Sequence, residues 1–63
     1  MLQFTDLNHT KHVVNLNNMQ NVVFRNPNDT YQITFHMIGQ HFLTATVDGV
    51  TFETLQKKLG AAT

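Results

Sequence analysis

The chain reads as an α+β domain, mostly β: an antiparallel meander of four to five strands with one C-terminal helix packed on one face. Three observations predict this class. Several short runs alternate apolar and polar residues, the period-2 mark of half-buried strands. Turn-prone Asn, Asp, Gly and Pro separate those runs. Only the last segment has helical spacing, with Phe52, Leu55 and Leu59 on one stripe. The predicted strands lie near residues 1–6, 11–16, 21–25, 30–37 and 41–47 and the helix near 51–59, all within one small domain spanning 1–63.

The clearest element is the pair of runs around Gly39. In 30–37, Tyr31, Ile33, Phe35 and Met37 share one face and Thr30, Gln32, Thr34 and His36 the other. In 41–47, Leu43, Ala45 and Val47 oppose Phe42, Thr44 and Thr46. If these runs form a hairpin, opposed residues point to the same side, so the loop must have an odd number of residues. A three-residue loop at 37–39, with Gly39 supplying a positive φ, sets Ile33 against Leu43 and Tyr31 against Ala45. His41 then falls opposite Phe35.

The first run puts Leu2 and Phe4 on one side. After the turn residues Leu7, Asn8, His9 and Thr10, a second run continues with Val14 and Leu16, so pairing Phe4 with Val14 keeps the apolar faces together. Asparagines crowd residues 15–21, and a short turn at 17–20 is expected with Met19 packed beneath it. A third run follows with Val22 and Phe24 on one face. The four-residue turn Asn26-Pro27-Asn28-Asp29 would pair Phe24 with Tyr31 and Val22 with Ile33. Past Val47, Asp48-Gly49 ends the sheet, Thr51 is placed to cap the helix, and Gly60 to stop it. The helix is expected to cover the Tyr31/Ile33/Leu43 face, leaving a frayed tail at 61–63.

Composition removes several function classes. The 63 residues carry four Lys and Arg against four Asp and Glu, and no cysteine. Disulfides and thiolate metal sites are therefore excluded, and a cytoplasmic setting is expected. No leader and no apolar run near 18 residues is visible, so no membrane contact is predicted. Lys11, Arg25, Lys57 and Lys58 are scattered, whereas phosphate-driven nucleic-acid binding needs clustered cations. A chain this short buries only about 60% of its unfolded surface, so a thin core and self-association as a staple are expected.

The histidines His9, His12, His36 and His41 suggest a metal, but no carboxylate is expected beside either close pair, His9/His12 or His36/His41, and turn or surface roles explain them. There is no Ser or Cys nucleophile, and Asp6, Asp29, Asp48 and Glu53 fall at turns or the helix start, where capping explains them. A pocket of several hundred Å³ is hard to build from one sheet and one helix. No enzyme activity and no cofactor are expected. The informative residues are those of the wrong parity: Val13, Val23 and Phe42 fall on the uncovered face among Thr34, Thr44, Gln32 and His36. A non-enzymatic interaction module that docks a second copy or a protein partner through this uncovered sheet face or through an edge strand is the lead reading. A nucleic-acid or metal-binding regulator using His36, Phe42 and Arg25 is the alternative.

Phe4-Thr5, Leu7-Asn8, Val13-Val14-Asn15, Met19, Val22, Pro27, Asp29-Thr30, Ile33, Gly39 and Val47 together resemble the pattern of the FlbD-type small flagellar family. The resemblance covers about three quarters of the chain. It implies an N-terminal hairpin, two further strands, a helical C-terminal end and a non-enzymatic motility accessory role, with no catalytic residue to carry over. His9 stands where that pattern has a turn glycine, and Asn28 interrupts its Pro-Asp-Thr run. Small phage proteins, such as inhibitors, share the same general look.

Overall fold

The computed structural model describes residues 1–60, and the tail expected at 61–63 lies outside them. The elements run in the predicted order: β1 (Leu2–Thr5), β2 (Lys11–Val14), β3 (Met19–Arg25), β4 (Tyr31–Met37), β5 (His41–Val47) and α1 (Gly49–Gly60). All pairings are antiparallel, and the strands form two sheets, a β1-β2 hairpin and a β3-β4-β5 meander. The α+β class, mostly β with one C-terminal helix, is thus the one the alternation predicts.

Within each sheet the residues fall on the expected sides, while every register differs by two residues. Phe4 faces His12 rather than Val14. Phe24 faces Ile33 rather than Tyr31, and Val22 faces Phe35. Ile33 faces Ala45 rather than Leu43, Tyr31 faces Val47, and His41 lies opposite Met37, exposed at the end of the sheet, rather than opposite Phe35. A two-residue slip leaves each side chain on its own face, so apolar burial does not distinguish these registers. The turns decide.

Between β1 and β2 the loop is Leu7-Asn8-His9, closed by His9 N donating to Asp6 O at 3.1 Å and Asp6 N to Thr10 O at 2.9 Å. His9 holds φ 65°, a glycine-like conformation. Between β3 and β4 the connection is two residues longer than expected, because Pro27–Asp29 forms a 3₁₀ turn with Asn28 and Asp29 at positive φ. Thr30 locks it by donating its amide (2.9 Å) and hydroxyl (2.6 Å) to Pro27 O. Between β4 and β5 the loop has three residues as expected, but they are 38–40, with both Gly39 (φ 89°) and Gln40 (φ 66°) in the left-handed region.

β3 starts earlier than its alternation suggests. A 3₁₀ turn at Leu16–Asn18, capped by Asn15 Oδ1 on Asn17 N, replaces the turn expected at 17–20. A bulge between Met19 and Asn21 then shifts the register by one. The extra residue lets odd-numbered Met19 and even-numbered Val22 and Phe24 all pack toward the same core.

The helix begins at Gly49, and its cap is Asp48 rather than Thr51: Asp48 Oδ1 accepts the Thr51 amide at 2.7 Å and Asp48 O accepts that of Phe52 at 2.9 Å. A carboxylate three residues before the amide it accepts satisfies a first-turn donor and also favours the positive helix end. Gly49 lies against the Tyr31 ring, where a Cβ would stand 3.4 Å from it. Phe52 packs on Tyr31 (5.0 Å) and edge-on to Phe24 (5.5 Å).

The core is one cluster of Leu2, Phe4, Val14, Ile33, Phe35, Ala45, Val47 and Leu55. Its covering layer is shared. The helix supplies Leu55, and the β1-β2 hairpin supplies Leu2, Phe4 and Val14, with Phe4 stacked on Phe35 at 5.7 Å. The hairpin therefore folds over the meander and gives a short chain more apolar cover than the helix alone could.

Candidate functional site

The uncovered face of β3-β4-β5 is a three-by-three array set by the register. Its rows are Arg25-Gln32-Thr46, Val23-Thr34-Thr44 and Asn21-His36-Phe42. Five of the six residues expected to form an interaction face lie here: Val23, Thr34, His36, Phe42 and Thr44. The Thr34 and Thr44 hydroxyls are 3.1 Å apart across the strands. The His36 ring leans on Phe42 with centroids 6.3 Å apart. Phe42 is nonetheless 70% exposed, and Ile38 in the adjoining turn is also largely exposed.

Val13, the sixth expected residue, is not part of this array. It belongs to the other sheet, exposed beside the buried Val14. Alternation alone placed it with Val23 and Phe42 on the premise of one continuous sheet, and the hairpin's separation removes that premise. Arg25 shares the face with His36 and Phe42 but stands at its opposite end, about 13 Å along the strands. The three do not converge on one ligand.

The histidines disperse. His9 is in the first turn, His36 on the open face and His41 at the sheet end, while His12 is half-buried and stacked on Phe4 at 5.0 Å. Its Nε2 lies 2.8 Å from Asp6 Oδ2, so a carboxylate does stand beside one of the first pair, contrary to expectation, because the hairpin turn brings residue 6 back across to residue 12. Among the described residues no three metal-ligating side chains cluster. No described helix is long and apolar enough to cross a membrane.

A second feature was not foreseen. A cleft of about 510 Å³ runs between β1 with its turn and α1, lined by Gln3 to Leu7 and His9 on one side and by Asp48, Val50, Thr51, Thr54, Leu55 and Lys58 on the other. The expectation that such a pocket is hard to build assumed one sheet and one helix; the strands form two sheets, and the hairpin beside the helix creates the gap. Its two carboxylates are both engaged. Asp6 accepts the amides of Asn8 (2.9 Å) and Thr10 (3.0 Å) besides its contact with His12, and Asp48 accepts that of Thr51. The Thr54 hydroxyl donates to Val50 O. The described lining pairs no hydroxyl with a free base.

These bonds hold both carboxyls below their ordinary value of 3.8. For Asp6 the His12 hydrogen bond is the largest cause, followed by the Thr10 amide; for Asp48 it is the Thr51 amide and then its hydroxyl. A carboxyl whose pKa is depressed by folding contributes stability above its unfolded value and loses it as pH falls through its folded value. The urea midpoint is therefore expected to fall as the pH drops below about 4. In Asp6→Asn, which keeps one acceptor oxygen but no charge, the midpoint at pH 7 should drop and the acid limb should become shallower. An unchanged acid limb would show that Asp6 does not hold the hairpin turn.

Compared with known proteins, the chain matches no family model, no curated protein and no solved structure.

Proposed function

We propose that this chain is a small non-enzymatic interaction module that docks through the open face of β3-β4-β5, a second copy being its first partner. The observation that supports this reading is Phe42, an aromatic left 70% exposed beside His36 on a face that no other element of the described chain covers. The threonines around it give a flat, short-chained surface that loses little side-chain entropy when buried. A large aromatic that becomes buried typically carries a large share of the energy of such a contact. Committed carboxylates and the absence of Ser and Cys support the non-enzymatic part, and the missing cysteine fits a cytoplasmic setting.

Light scattering over a tenfold concentration range should give a molar mass above that of the 7.2 kDa monomer. Phe42→Ser should return it to the monomer while leaving the circular dichroism spectrum intact. A variant that associates as the native chain does, or a native chain that is monomeric throughout and captures no partner, would overturn this reading.

A motility accessory role is the second reading, from the FlbD-type resemblance. One observation favours it: His9, standing where that pattern has a turn glycine, holds the positive φ that glycine adopts most readily.

A further inference from the structure

The cleft beside α1 has a property that its volume does not convey. Gln3, Phe4, Thr5, Asp6 and Leu7 all line it. Side chains of a strand alternate between faces, so consecutive residues share a wall only where the strand presents its edge. The backbone of β1, not one of its faces, forms that wall.

The hydrogen bonds identify which groups this edge offers. Asp6 N donates to Thr10 O, so Asp6-Thr10 is a bonded pair of the hairpin. Bonded and non-bonded pairs alternate along an antiparallel ladder, which makes Phe4-His12 bonded and Thr5-Lys11 and Gln3-Val13 non-bonded. The N–H and C=O groups of Gln3 and Thr5 therefore turn away from β2, toward the cleft. Leu7 follows the same parity, and its outward N–H donates to Thr46 O at 2.9 Å. That bond ties this end of the edge to β5, and among the described residues none bonds the outward groups of Gln3 and Thr5.

The opposite wall is one face of the helix. Val50, Thr51, Thr54, Leu55 and Lys58 recur at helical spacing over about 12 Å, the length of roughly four extended residues. Phe4 and Leu55, both buried, form the floor, while Leu7 (53% exposed) and Val50 (76% exposed) stand at the lip. The Leu7-Thr46 bond places Asp6 beside the helix start at Asp48, so two carboxylates sit at one end of the cleft and Lys58 lies toward the other.

We propose that this cleft binds an extended peptide segment of another protein, added as a strand on the open edge of β1 with an apolar side chain seated between Leu7 and Val50. Donors and acceptors at every second residue of a strand match another extended backbone. The helix wall selects among the sources of one. A folded sheet edge from a second copy would carry its own flanking elements into α1, whereas a single unpaired segment brings none. The charge gradient favours a segment with a cation at the Asp6/Asp48 end and a carboxylate toward Lys58. This site is separate from the open face and does not rest on the function proposed for it.

The test uses two capped peptides of opposite polarity, acetyl-Lys-Thr-Val-Thr-Val-Glu-amide and acetyl-Glu-Val-Thr-Val-Thr-Lys-amide, titrated into the isotopically labelled full chain and followed by NMR. One of them should shift the Gln3 and Thr5 amides saturably, and N-methylating its alternate, edge-facing amides should abolish the shift. Thr5→Pro removes a donor that faces the cleft rather than β2, a position where an edge strand tolerates proline. It should weaken binding at least tenfold. Val50→Glu, which alters only an exposed side chain, should do the same if the proline variant fails to fold, and Phe42→Ser should bind as the native chain does. Neither peptide binding at millimolar concentration, shifts mapping to Thr34 and Thr44 instead, or binding indifferent to N-methylation would each overturn the proposal. Concentration-dependent shifts of Gln3 and Thr5 without peptide would also overturn it, by making the occupant a second copy.

Discussion

Phe35→Ala should leave the chain largely unfolded at 25 °C. Phe35 is fully buried at the middle of β4, paired with Val22 on one side and Leu43 on the other, and it carries the Phe4 ring on its core face. Removing a buried phenyl ring costs about 3–5 kcal/mol, the lost transfer energy plus the cavity left behind. A domain of this length typically holds on the order of 3–9 kcal/mol in total. Urea denaturation followed by circular dichroism is the measurement, with Phe35→Leu as the milder control at about 1 kcal/mol. A loss below 1 kcal/mol for the alanine variant would mean that the hairpin does not seat on the meander, because Phe4 would then have had nothing to lose.

Leu55→Ala should separate the helix from the rest of the fold. Leu55 is the one residue of α1 that is fully buried, while Phe52 and Leu59 are only partly so. Alanine is at least as good a helix former as leucine, so the expected loss of about 2–5 kcal/mol comes from packing alone. A 12-residue helix is marginal in water once its docking is weakened. The expected result is loss of the helical signal at a lower temperature than the sheet signal, with fast amide exchange confined to residues 49–60. A single cooperative transition shifted as a whole would instead show that helix and sheets form one unit. Because Leu55 also floors the cleft, the variant should lose peptide binding even where the sheets survive.

The two sites were not equally visible in the sequence. The open face follows from parity: once 30–37 and 41–47 alternate, Thr34, His36, Phe42 and Thr44 must share a side, and Val23 joins them from β3. Val13 was assigned to it by the same rule and does not belong, since parity says which side of its own sheet a residue occupies and nothing about which sheet that is. The cleft left no such trace. One wall is backbone, and the lining comes from two segments separated by about 40 positions. The nearest sequence signal was the pair Asp6 and Asp48, both read as turn or cap residues, which is the role they hold.

The sequence by itself determined the order of elements, the antiparallel sense, the side of its own sheet to which each strand residue points and the apolar stripe of the helix, and it bounded the strands at four to five. These follow from local periodicity and short connections, which act between residues a few positions apart. Only the tertiary structure decided the absolute registers, the division into two sheets, and the position of the hairpin over Phe35. A shift of two residues or a change of sheet leaves every residue's polarity matched to its side, so hydrophobic patterning is indifferent to both. What resolves them is the positive φ at His9, Asn28, Asp29 and Gln40, the bulge after Met19, and the stacking of Phe4 on Phe35, contacts and conformations that exist only once the chain has closed on itself.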